Sequence, residues 1–166
     1  MMKVQEIALL LFFSISCFSL QNCLNQATAT PTATITSPAK TWLSIEEGVN
    51  QAKQDQKKIL IDVYTDWCKW CKVMDKETFG NSALLPYLKE NFHLVKLDAE
   101  QKTPIQFKGK EYGWIKGGRN GYNQLALDLL DGQLAYPSLV VFDAKLNKLQ
   151  VIRGYKSAEQ LKTLLQ

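Results

Sequence analysis

The chain has 166 residues, of which 46% are apolar and 22% charged, proportions ordinary for a domain that buries a sizeable core. Its net charge of +4 is mild and its lysines are scattered, which argues against nucleic acid as a partner.

In chain order, the first feature is not part of a domain. Met1 to Glu6 carries one lysine and one glutamate, and Ile7 to Leu20 is then almost wholly apolar. That run falls short of the about 20 residues a membrane span needs. It has the length of a secretory signal's apolar region, so residues 1–25 are expected to be a signal peptide or lipoprotein signal. A buried core helix is the alternative for the same run. Ala27-Thr28-Ala29 offers a small-x-small cleavage pattern. Ser14-Ile15-Ser16-Cys17 and Leu20-Gln21-Asn22-Cys23 each partly match a bacterial lipoprotein box. A lipid on Cys17 or Cys23 is the one membrane attachment expected. The expectation is an exported, periplasmic protein. Cleavage after Ala29 leaves two cysteines, both in one motif, and Lys3 and Glu6 cancel in charge.

Residues 26–41 are rich in Thr, Ala and Pro and form a linker that cannot bury much surface. The domain is expected over 42–166. Ser44 followed by Glu47 starts a capped helix that runs to about Gln54. Lys58 to Tyr64 is a buried strand and Cys68 to about Phe79 a helix. Asn81 to Asn91 is a further helix, capped by Asn81 or Ser82 and kinked or divided by Pro86. His93 to Asp98 alternates as a strand. An insert spans about 101–121: Ile105 to Phe107 and Glu111 to Trp114 flank Lys108-Gly109-Lys110 as a hairpin, and Gly117 to Gly121 is a loop. Phe107, Tyr112, Trp114 and Tyr122 are expected to form the insert's own core. Tyr122 to Leu130 is a helix, Ser138 to Phe142 and Lys148 to Ile152 are paired strands, and Ser157 to Leu165 closes as an amphipathic helix. Strands separated by helices predict parallel pairs, and the short last turn predicts an antiparallel one. The fold class is α/β, a mixed sheet with helices on both faces.

Cys68-Lys69-Trp70-Cys71 follows the first strand and opens a helix. Two thiols at this spacing lie about one turn apart, close enough for a reversible disulfide. The first faces the helix's free N–H groups, which favour the thiolate. The alternative is half of a zinc site, but His93 is the sole further Cys or His after Ala29, and zinc takes about four ligands. No metal and no cofactor beyond the redox pair are expected.

The motif Trp67-Cys68-Lys69-Trp70-Cys71-Lys72, Asp62 six residues before it, Tyr136-Pro137 before a strand, and Gly154 after the last strand together resemble the thioredoxin family. The resemblance covers Trp42 to Gln166. Asp66-Trp67-Cys68 with Met74 to Phe79 is similar to the branch containing the C-terminal periplasmic domain of bacterial transmembrane thiol reductases. The resemblance implies a thiol–disulfide oxidoreductase. Cys68 is then the exposed nucleophile and Cys71 the buried resolving thiol, with Lys69 adding positive charge nearby. Asp62 is a buried acid that moves the Cys71 proton, and Lys96 is a candidate for the same proton network. Pro137 is expected to be cis, and Tyr136, Pro137, Gly154 and Trp70 to bind substrate, while Trp67 packs inside. The implied partners are protein thiols and disulfides and a membrane thiol-electron transporter. A thiol oxidase, a non-catalytic peptide-binding or chaperone-like module, and a redox sensor are the alternatives.

Overall fold

The computed structural model describes residues 42–166. The signal segment, the linker, Cys17, Cys23 and the Ala29 cleavage point lie outside the described residues. Among the described residues no helix is long and apolar enough to cross a membrane.

Helix α1 (Ile45–Asp55) begins on a reciprocal cap. The Glu47 N–H donates to Ser44 Oγ and the Ser44 N–H donates to Glu47 Oε2, which satisfies two otherwise orphan donors. Strand β1 (Lys58–Tyr64) follows, with Ile59 through Val63 all buried, the pattern of a strand covered on both faces. Helix α2 (Lys69–Met74) runs directly into a π-helical turn at Asp75–Phe79. Helix α3 (Leu84–Asn91) leads into β2 (Phe92–Asp98).

Pro86 neither kinks nor divides α3. It lies in the first turn, where a backbone N–H has no helical partner to lose. Asn81 serves as the cap from outside, its Oδ1 accepting from the Ala83 and Leu84 N–H groups at 3.0 Å each.

The insert contains β3 (Ile105–Phe107) and β4 (Lys110–Tyr112), an antiparallel hairpin. Lys108 and Gly109 both have positive φ, 52° and 76°, the backbone of a tight primed turn that glycine permits. Trp114 does not continue that hairpin. It belongs to β5 (Trp114–Ile115), paired with β6 (Tyr122–Asn123), and the following helix α4 spans only Gln124–Leu129. Asn123 sets that start, because its side chain caps the helix by accepting from the Leu125 N–H. Strands β7 (Ser138–Phe142) and β8 (Lys148–Arg153) and helix α5 (Ala158–Leu165) complete the domain.

The main sheet has the order β2-β1-β7-β8. β1 and β2 are parallel, as expected from the helices between them. β7 is antiparallel to β1, against the expectation of parallel pairs. The chain leaves β2 and re-enters at the same end of the sheet, where Ser138 pairs with Val63, so no crossover forms. Alternation along β1 divides the core in two. Ile59, Ile61 and Val63 join Ile45, Ala52, Leu125 and Leu129 on the face of α1 and α4. Leu60 joins Met74, Leu84, Leu88 and Leu161 on the face of α2, α3 and α5. Each fully buried aliphatic side chain contributes about 1.5–3 kcal/mol.

The insert has no core of its own. Ile105, Phe107 and Tyr112 belong to the α1-side cluster, and the Phe107 ring meets Phe142 edge-on at 5.5 Å. Two short ribbons bury too little to stand alone, so they borrow the main sheet.

Candidate active site

Cys68 is the N-cap of α2, and its Sγ accepts the Cys71 N–H at 3.1 Å. A thiolate here would be held by that N–H and by the helix dipole. The two cysteines form a disulfide, with Cα atoms 5.3 Å apart. Both are buried, at 4% and 3% exposure, so Cys68 is not the exposed member of the pair in this state. Joined sulfurs screen one another, and the exposure passes to the flanking indoles. Trp67 is 55% and Trp70 58% exposed. The expectation that Trp67 packs inside is therefore corrected. Its Nε1–H donates to Glu100 Oε1 at 2.7 Å, which holds the ring at the surface.

Each indole ties a different loop to the motif. Trp67 meets Tyr136 edge-on at 6.0 Å. Tyr136 is half-buried, and the Tyr136-Pro137 peptide bond is cis. Trp70 lies against Tyr155 at 5.4 Å, and the Tyr155 hydroxyl donates to Glu77. The two loops are joined by backbone: the Gly154 N–H donates to the Pro137 carbonyl at 2.8 Å. Gly154 has φ 75°, a conformation that side chains other than glycine's rarely adopt. Pro137, Tyr136 and Gly154 thus sit in one linked rim beside the disulfide-bearing helix.

Below the motif lies a cluster of charges around one buried carboxylate. Asp62 is 2% exposed and points to the same sheet face as Leu60, toward the α2 side. Its register partner on β2 is Lys96, whose Nζ stands 3.4 Å from Asp62 Oδ2. Lys96 is therefore not a solvated edge lysine. The same ammonium donates to both carboxylate oxygens of Asp75, at 2.5 and 2.6 Å, and lies over the rings of Trp42 and Tyr64. Burial raises the Asp62 carboxyl from 3.8 to about 7; Lys96 opposes the rise and Asp75 adds to it. Asp62 Oδ1 is buried without a hydrogen-bond partner, which also favours the protonated acid. Such a group exchanges a proton near neutral pH.

Tyr136 is held neutral, pushed to about 12 by burial and then by Glu100 and Asp98. His93 lies outside the site, its Nε2 2.8 Å from Asp55 Oδ1. Among the described residues no group of three His, Cys, Asp or Glu side chains is placed to hold a metal ion.

Sequence reasoning missed Asp75, Tyr155 and Glu100. Asp75 had a signal: it stands four residues after Cys71, on the same helix face. Tyr155 follows directly on Gly154. Glu100 had none, because its partner Trp67 is 33 residues away.

The family model described as Thioredoxin-like matches residues 41–144, more than half of the chain. A stretch of 65 residues is 35% identical to the thiol:disulfide interchange protein DsbD of Pseudomonas fluorescens, covering 39% of this chain and 10% of that protein. The chain spans about a tenth of the length of the curated relatives it matches. Among solved structures, DsbH oxidoreductase is similar with a TM-score of 0.52 at 23% identity, covering 74% of this chain and 80% of that one. The oxidised DsbD C-terminal domain of Neisseria meningitidis has a TM-score of 0.50 at 17% identity, covering 72% and 89%. At these identities the structural likeness shows the fold.

Proposed function

The chain belongs to the thioredoxin-like family, and from that premise we propose that it is an exported thiol–disulfide oxidoreductase that reduces or isomerises disulfides of other proteins. The observation that supports this most is the Cys68–Cys71 disulfide at the head of α2, between two exposed tryptophans. In the reduced form, the Cys68 thiolate attacks one sulfur of a partner disulfide. A bond forms between Cys68 and that sulfur, the partner's bond breaks, and a partner thiolate leaves. Cys71 then gives its proton to Asp62, and its thiolate attacks Cys68 Sγ. The second partner thiolate leaves and takes a proton back. Two electrons have passed to the partner, and the domain's own disulfide has formed. Lys96 steadies the ionised Asp62 before the first transfer and after the second. The rim of Tyr136, Pro137 and Gly154 holds the extended partner chain, and Trp70 packs on it. Restoring the dithiol takes two electrons from another dithiol, and a membrane thiol-electron transporter is the proposed donor. The periplasm is the proposed location.

Insulin reduction by the full chain, with dithiothreitol supplying the electrons, tests this reading. Wild type is expected to turn over, Cys68→Ser to be inert, and Cys71→Ala to accumulate a mixed disulfide. Wild-type inactivity would overturn it. The potential of the pair against glutathione separates the directions: about −270 mV marks a reductase, and about −120 mV an oxidant.

A further inference from the structure

The insert is linked to Trp67, beside the redox motif, through Glu100. In the loop 117–121, the Asn120 Nδ2–H₂ donates to Glu100 Oε1 and Oε2 at 3.2 and 3.1 Å. Glu100 Oε1 is the acceptor that holds the Trp67 indole at 2.7 Å. Trp67 stands edge-on to Tyr136, the residue before Pro137. A continuous chain of contacts therefore runs Asn120, Glu100, Trp67, Tyr136. The loop is braced for this. The Gly121 N–H donates to the Gly117 carbonyl at 2.6 Å, and Gly121 packs so closely on Trp114 that an added Cβ would come within 2.2 Å of its ring.

Trp67 needs such a hold. More than half of it is exposed, so packing alone leaves the ring free to turn. Glu100 lies just beyond β2, and its carboxylate is a swinging group unless its second oxygen is also engaged. Asn120 engages it from a separate segment, and an amide donor to a carboxylate is a charge-assisted bond.

We infer that Asn120 is a positioning residue, which fixes the Trp67 indole through Glu100 and so lets the insert shape the face on which protein disulfides dock. The inference rests on the oxidoreductase reading above. A protein disulfide must lay its flanking chain across the Tyr136-Pro137 rim and against Trp67. A small disulfide needs only the sulfurs. Asn120 therefore matters to the first substrate more than to the second.

The test uses the full chain, reduced beforehand, with insulin and with dithiobis-nitrobenzoate as the two disulfides. In Asn120→Ala, the ratio of the single-turnover second-order rate constant for insulin to that for the small disulfide is expected to fall about fivefold. Asn120→Asp sets a like charge against Glu100 and is expected to lower the ratio at least as far, with partial recovery in high salt. The Trp67 indole N–H resonance, identified by its absence in Trp67→Phe, is expected to move in both variants while that of Trp42 stays. Asn147→Ala, in the turn between β7 and β8, is the control that keeps the wild-type ratio. A ratio within about twofold of wild type, with the Trp67 resonance unmoved, overturns the inference and leaves the oxidoreductase reading standing. Wild-type inactivity on both disulfides overturns that reading and the inference with it.

Discussion

Lys96 Nζ stands 3.4 Å from the buried Asp62 Oδ2, directly across the parallel register of β1 and β2, yet its closer bonds are to Asp75. The ammonium is shared unequally, so Asp62 is under-compensated.

That imbalance predicts a pH-dependent stability. The Asp62 carboxyl rises from 3.8 to about 7 in the folded chain. Between these values the native state binds more protons than the unfolded state, so stability falls as pH rises from about 4 to about 7 and then levels. Asp62→Asn removes this term. In urea titrations at pH 5 and pH 8, the variant is expected to lose less stability across the interval than wild type. Equal losses in the two proteins would count against a raised Asp62.

Lys96→Met keeps an unbranched chain between the rings of Trp42 and Tyr64 but deletes the charge. The Asp62 proton is then expected to be held still more tightly, because Lys96 is what opposes the rise. The carboxyl carbon resonance of Asp62, followed against pH, is expected to show a midpoint above that of wild type. A midpoint at or below wild type contradicts the ion pair.

Gly154→Ala separates backbone from space. An added Cβ there would meet no more than Lys156 Nζ at 4.0 Å, so crowding is small. The φ of 75° is the cost, at about 1–2 kcal/mol for a left-handed side-chain-bearing residue. Chemical denaturation is expected to show that loss. Insulin turnover is expected to fall as well, because the Gly154 N–H holds the Pro137 carbonyl.

Trp70→Ala tests the docking role of the exposed indole. The ring is 58% exposed and rests on Tyr155, so its loss is expected to change stability by no more than about 0.5 kcal/mol. The KM for insulin is expected to rise severalfold. An unchanged KM removes Trp70 from the docking face.

The sequence was most legible where one local rule acts alone. Ser44 and Glu47 announced α1, and the unbroken apolar run Ile59 to Ile61 announced β1. Lys108-Gly109 announced a hairpin turn. It was least legible where a distant partner decides. Nothing near Trp67 says that Glu100 will hold it at the surface, and nothing near Tyr122 says that Trp114 will draw it into a ribbon. Proline misled in one place: Pro86 looked like a break because its distance from the true helix start was not visible. Cys68 misled in another, since the exposure expected of a thiol belongs to its neighbours once the disulfide closes. The Asp62–Lys96 pair was half legible. Both residues could be named, but the parallel register that sets them opposite each other depends on the whole sheet.

The partition of the core along β1 has an evolutionary corollary. Asp62 and Met74 lie on one side of the sheet, while the insert anchors Ile105, Phe107 and Tyr112 on the other. A lineage can therefore redraw the insert while leaving the packing around Asp62 untouched.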